Sequence, residues 1–225
     1  MPNDRIDLER DTIERMARSA SRRRFLKWSG ATVVVAGAGI ACDDDNGPSG
    51  PGDGGPVVTL PLQNDTDILK FALFLELLEE DFYTKAVAAG ILSGNVLDLT
   101  QDVLQHESAH VDFLQTALSG QAFTQDDVEF DFSSALTDQG TYLGVAQTLE
   151  QTGVNAYLGA LPSITSRSNR TAAGSIFTIE ARHTAAFRAF NNAPGGPVPD
   201  AFEDGLTPEQ VVQAVVATGF VVEGL

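Results

Sequence analysis

Ser175-Ile-Phe-Thr-Ile-Glu180-Ala-Arg-His183-Thr-Ala-Ala-Phe-Arg188 is the stretch from which the rest of the chain is read. Its apolar residues recur at helical spacing, and residues three apart on a helix share a face, so Glu180 and His183 point the same way. Gln105-His-Glu107-Ser-Ala-His110-Val-Asp-Phe-Leu114 repeats the spacing upstream. The chain holds three histidines, and two of them follow a Glu by three positions. A carboxylate and an imidazole set together on one helix face have the chemistry of metal donors.

An internal repeat extends the pattern. Leu75-Glu76-Leu-Leu-Glu-Glu-Asp-Phe-Tyr83 aligns with Leu149-Glu150-Gln-Thr-Gly-Val-Asn-Ala-Tyr157, each reading Leu-Glu and then Tyr seven after the Glu. Glu107 follows Glu76 by 31 residues, and Glu180 follows Glu150 by 30. The chain therefore contains two similar helix pairs. Each supplies a lone Glu from its first helix and a Glu-x-x-His from its second.

These residues, most clearly Leu69 to Tyr83 and Ser175 to Arg188, resemble the bacterial ferritin-like domain proteins, relatives of ferritin, bacterioferritin and rubrerythrin. The resemblance covers about residues 64 to 190. It implies an all-α fold, a ferritin-like antiparallel four-helix bundle with a long crossover between its second and third helices. The set Glu76, Glu107, His110, Glu150, Glu180 and His183 matches the known ligand pattern of such dinuclear carboxylate bundles. By the resemblance, Glu107 and Glu180 bridge two metals, Glu76 and Glu150 each bind one, and His110 and His183 each cap one.

Electrostatics agrees with this reading. An isolated carboxylate in a helical core costs several kcal/mol, and four facing one another must take up protons or cations. Two divalent ions offset four carboxylates, and neutral imidazoles complete the donor set. Oxygen and nitrogen donors without thiolate suit two Fe ions, or Mn. Glu79 and Glu80, one turn from Glu76, are alternative donors, but the matched Tyr83 and Tyr157 favour Glu76. His106, one turn before His110, is expected beside the site or at the surface. Tyr83 and Tyr157 are expected as buried tyrosines donating to carboxylates, with a redox role as the alternative.

Composition sets outer bounds. A chain of 225 residues with 43% apolar content can bury one good core. From Asp43 onward there are six basic and twenty-six acidic residues, a formal −20, which argues against a nucleic-acid partner. Such charge serves solubility outside the cytoplasm, and attraction of cations is a second reading.

Ser21-Arg22-Arg23-Arg24-Phe25-Leu26-Lys27 resembles the twin-arginine export signal at every position, and an apolar run from Trp28 to Ala41 follows. That run has the length of a signal core, an uncleaved anchor being the alternative. Cys42, the single cysteine, comes directly after it and has no disulfide partner in the chain. Gly39-Ile-Ala-Cys42 is similar to a lipoprotein cleavage box that would put lipid on Cys42, while Gly39-x-Ala41 also satisfies an ordinary cleavage rule. The expected plan is a signal over 1–42, a flexible tether over 43–63, the bundle over 64–191 and a C-terminal extension over 192–225. The protein is then expected in the periplasm or cell envelope.

Within the bundle, apolar spacing predicts a first helix from Asn64 to the Ala-Ala-Gly90 stop. A second runs from a Thr100 cap to about Leu118, a third from Gln139 to Leu161 ahead of Pro162, and a fourth from Ser168 to Phe190. Val128-Glu-Phe-Asp-Phe132 alternates, as an extended segment laid along a bundle would. Thr207-Pro-Glu-Gln210 is a capping box that predicts a short fifth helix packed on the others.

The leading function is a dinuclear metal oxidase turning over Fe(II) with oxygen or peroxide. The alternative is a metal-binding or stress-protection protein without turnover. No stretch marks an organic substrate pocket, and a homodimer is compatible with the chain. Export is testable on the precursor. With Arg22 and Arg23 both replaced by Lys, we expect it to stay in the cytoplasm, and the unmutated mature protein should have an intact mass that begins at a lipid-bearing Cys42. Normal export of the double variant, or a mature chain without added lipid mass, would contradict the respective expectation.

Overall fold

A computed structural model describes residues 57–224. Five α-helices dominate: α1 Asp65–Ala89, α2 Gly94–Leu118, α3 Gln139–Ala160, α4 Arg167–Phe190 and α5 Pro208–Ala217. Two short strands, β1 Glu129–Phe130 and β2 Val221–Glu223, form the only sheet among the described residues. Local signals set the ends. Asn64 caps α1 by accepting from the Asp67 amide, and Gly90 stops it in the left-handed conformation at φ 67°, which glycine adopts without strain. Asp138 caps α3 through the amides of Gly140 and Thr141. Thr207 and Gln210 form the reciprocal box that opens α5, with Pro208 at its first position.

Hydrogen bonds between helix ends establish the direction of each helix. Ser93, which precedes α2, donates its amide to Gln139 Oε1 at 3.0 Å, so α2 and α3 begin at the same end. Asn191, just past α4, reaches the Leu143 carbonyl near the start of α3 at 2.8 Å. At the opposite end the Asp65 carboxylate accepts the amides of Thr165 and Ser166, both at 2.8 Å, which ties the start of α1 to the start of α4. Thus α1 runs against α2 and α3, and α4 also runs against both. α1 packs along α2 and α3 along α4, and the two pairs face each other. This is an antiparallel four-helix bundle whose second link must return along its length. A 25-residue helix is about 37 Å long, and residues 119–138 cover that distance.

The crossover is held from two sides. β1 pairs antiparallel with β2, the Asp131 amide donates to the Phe220 carbonyl at 2.8 Å, and the Val57 amide donates to Gly224 at 3.1 Å. Beneath it Phe130 packs edge-on to Phe74, and Phe132 packs on Phe82 and Phe220. Each such ring, fully buried, contributes about 1.5–3 kcal/mol. Farther along, the tail crosses α3 so closely that a Cβ on Gly159 would lie 1.9 Å from the Leu206 carbonyl oxygen, and only glycine fits there.

Several expectations change. α2 begins at Gly94, six residues before Thr100, whose buried hydroxyl donates back to the Val96 carbonyl at 2.8 Å and meets Tyr142, so it cannot cap. Leu161, expected within the third helix, opens a 3₁₀ turn containing Pro162. The expected tether is described only from residue 57, and there it is packed: Val58 is buried and Val57 bonds to the tail. The extended segment found its partner in β2, which had not been anticipated. The export signal and Cys42 lie outside the described residues.

Candidate metal centre

Each of the four bundle helices carries an acidic residue of the set near mid-length. Glu76 comes from α1, Glu107 and His110 from α2, Glu150 from α3, and Glu180 and His183 from α4. All six are buried, and Glu107, Glu150 and Glu180 have no exposure at all. Their donor atoms fall into two groups of four, each within 4.8 Å: Glu76, Glu107, His110 and Glu180 in one, and Glu107, Glu150, Glu180 and His183 in the other. Glu107 and Glu180 belong to both.

The hydrogen bonding within these groups is incomplete in an informative way. His110 Nδ1 lies 3.1 Å from Glu76 Oε2, 3.0 Å from Glu107 Oε2 and 3.3 Å from Glu180 Oε1. His183 Nδ1 lies 3.1 Å from both Glu150 Oε2 and Glu107 Oε1. A ring nitrogen carries at most one proton, so neither can satisfy all its neighbours. The contacts to Glu180 Oε1 and Glu107 Oε1 lack hydrogen-bond alignment, and these atoms, with Glu180 Oε2, are buried without a partner. Among the described residues no Lys or Arg pairs with the cluster. Orphaned oxygens on the two shared carboxylates, ringed by nitrogen and oxygen donors, fit a pair of cations.

A family model of the ferritin-like domain matches residues 64–193, more than half of the chain and all four bundle helices. The chain belongs to the ferritin-like domain family. No curated protein matches it.

In this ferritin-like domain the two halves brace each other through tyrosines. Tyr83 of α1 donates to Glu150 Oε1 of α3, and Tyr157 of α3 donates to Glu76 Oε1 of α1 at 2.5 Å. Both hydroxyls are buried and titrate well above the ordinary tyrosine range, first through burial and then through the carboxylates beside them, so they act as donors. The repeated Glu-to-Tyr spacing thus becomes a reciprocal exchange across the bundle axis.

The neighbours of the six divide. His106 is exposed at the surface, yet its Nδ1 lies 2.9 Å from His183 Nε2, which orients that ring with Nδ1 toward the carboxylates. Glu79 is buried beside Glu150 and Glu76, whereas Glu80 is half-buried and makes no hydrogen bond or ion pair among the described residues. Glu79 therefore belongs with the cluster and Glu80 does not. Gly153 had not been singled out. It occupies in α3 the repeat position of Glu79, and a Cβ there would sit 3.0 Å from Glu180 Oε2 and 3.5 Å from Glu79 Oε1. The repeat alignment contains the signal, since Glu76-x-x-Glu79 faces Glu150-x-x-Gly153.

Burial and then mutual repulsion raise Glu79, Glu107 and Glu180 well above ordinary carboxylate values. Burial would raise Glu76 too, but hydrogen bonds and charge from His110, with the Tyr157 bond, hold it low. A carboxyl raised in the folded state keeps its proton after the unfolded chain has released it, so the folded chain binds more protons and stability falls as pH rises. Above about pH 5 Glu76 is ionised in both states, and only His106, lowered first by burial and so gaining fewer protons in the folded chain, opposes the three raised groups, which outweigh it. The melting temperature of the metal-free protein should fall from about pH 5 to about pH 8. Divalent metal, which displaces those protons, should raise it more at the upper end. Calorimetry showing a metal-free protein that gains stability over this range would contradict the electrostatics described.

Proposed function

We propose that this ferritin-like protein holds a dinuclear metal centre and uses it to oxidise Fe(II) with oxygen or peroxide. The observation that carries the proposal is the pair of four-residue groups sharing Glu107 and Glu180, with orphaned oxygens left on both shared carboxylates. Glu76 and His110 would complete one position, Glu150 and His183 the other. With Glu79 protonated, four carboxylates offset two divalent ions, and the donor set suits iron or manganese.

Bound iron would supply electrons one per ion, so that 2 Fe²⁺ + O₂ + 2 H⁺ gives 2 Fe³⁺ + H₂O₂. The protein's part is positional. Tyr83 and Tyr157 hold the terminal carboxylates by their hydroxyls, His106 holds the His183 ring, and the apolar shell keeps bulk water away from the charges. The reading extends to the cell: the twin-arginine motif at Arg22 and Arg23 and the position of Cys42 support export and a lipid attachment to the envelope.

Reconstituted protein should bind two divalent metals per chain, and Glu107→Ala or Glu180→Ala should each lower that count by one or both ions. Anaerobic Fe(II) loading followed by an oxygen pulse should produce ferric absorption in the unmutated protein and far less in either variant. Elemental analysis finding no metal after iron or manganese loading would end the proposal, and two bound ions without oxidation would leave a metal-binding protein.

A further inference from the structure

The two halves of the centre differ in a contact outside the six donors. In α2 the residue before Glu107 is His106, and at the matching place of the repeat, before Glu180 in α4, stands Ile179. His106 reaches from α2 to α4, with its Nδ1 2.9 Å from His183 Nε2. The Ile179 side chain has no polar atom to offer in return, and every hydrogen bond of His110 among the described residues runs through Nδ1. His183 is therefore held at both ring nitrogens and His110 at one.

The contact is a well-formed hydrogen bond. The two ring planes lie within 6° of each other, and the centroids are 5.1 Å apart. That separation is close to the largest that a 2.9 Å N···N contact permits, one ring radius beyond each nitrogen, so the rings meet edge to edge in one plane and do not stack face to face. In that plane an imidazole N–H points outward and a bare nitrogen keeps its lone pair. His183 is buried and His106 exposed, so the pair runs from the carboxylates to the protein surface.

Which ring donates depends on what His183 Nδ1 holds, because a neutral imidazole carries one hydrogen. Without metal, Nδ1–H donates to Glu150 Oε2 at 3.1 Å, His183 Nε2 is bare, and His106 Nδ1–H donates to it. Once the Nδ1 lone pair is given to a metal, the hydrogen of His183 must sit on Nε2, where it donates to His106 Nδ1. The change balances. One proton leaves His183 Nδ1, the hydrogen between the rings passes from His106 to His183, and His106 takes one proton from water at its Nε2. Both rings are neutral before and after.

We propose that His106 is a positioning residue for the Glu150 and His183 position alone. That position consequently holds its ion more tightly than the Glu76 and His110 position, and its filling is relayed to the surface as a change in which His106 nitrogen carries the hydrogen. The inference rests on the reading of the centre as a metal site and does not depend on oxidase turnover. A ring fixed in advance needs no ordering when the ion arrives, and loss of such an outer partner weakens metal binding by about 10–100-fold.

The test uses the full chain and redox-inert zinc. The chain has three histidines, so ¹⁵N-histidine labelling shows only the ring nitrogens of His106, His110 and His183. As zinc is added stepwise, the His183 signals should change before those of His110, and the His106 hydrogen should move from Nδ1 to Nε2. His106→Ile, which installs the residue of the repeat position, should weaken the ion at His183 roughly tenfold or more and leave the ion at His110 unchanged. His106→Asn should recover most of that loss, because its Oδ1 accepts from His183 Nε2 as the imidazole Nδ1 does. Melting temperature reports folding of both variants, and the shift of the His106 hydrogen is read without any variant. Two zinc ions bound with no change at His106, a His106→Ile protein in which both ions or neither are weakened, or a His106→Asn protein no better than His106→Ile would overturn the inference while the metal centre stands. An unmutated chain that binds no zinc would instead sink the metal-site reading, and the inference with it.

Discussion

Carboxylates buried together, with no Lys or Arg of the described residues to pair with them, are the constraint on which this structure turns. Glu76, Glu79, Glu107, Glu150 and Glu180 all sit inside the bundle, while Lys85, Arg170 and Arg188 make their side-chain contacts elsewhere. Like charges at such separations in a medium of low polarity cannot all stay ionised. Protons or cations must enter, and their exchange links the pH dependence of folding to metal binding. A core built only for stability would be better served by aliphatic residues of the same volume. Five acids at its centre, with two histidines, give it instead the donors of a site that could hold metal.

The architecture follows from presenting those acids face to face. Two helix pairs of similar sequence place Glu at matching depths, and the long crossover lets the second pair lie against the first so that all four helices meet antiparallel. Because Tyr83 and Tyr157 each reach across to the other pair, the halves are joined through the carboxylates themselves. The outer layer then secures the crossover, through β1 against β2 and through Phe132 between Phe82 and Phe220. Departures from the repeat are as informative as agreement. Gly153 opposite Glu79 leaves room for Glu180 and for the fifth acid, Glu79.

Much of this was legible in the residues because its signals are local or repeated. Helical spacing and punctuation by Asn64, Gly90 and Asp138 place the ends of α1 and the start of α3, and the repeated Glu, Glu-x-x-His and Tyr positions bring six residues to one depth. Misreadings arose where a side chain had two local options or a distant partner. Thr100 looks like a cap until its hydroxyl is seen to bond backward to Val96 and to meet Tyr142. β2 is three residues long, and its partner lies some ninety positions upstream, so no periodicity announces it.

The central claim is that Glu107 and Glu180 are shared between two ions. Anomalous diffraction from crystals of the iron- or manganese-loaded protein, collected at the absorption edge of the metal, tests it most directly. The account predicts two peaks in the bundle core, one beside Glu76 and His110 and one beside Glu150 and His183, with the carboxylates of Glu107 and Glu180 contacting both. A single peak, or two peaks of which neither contacts both of those carboxylates, would contradict it.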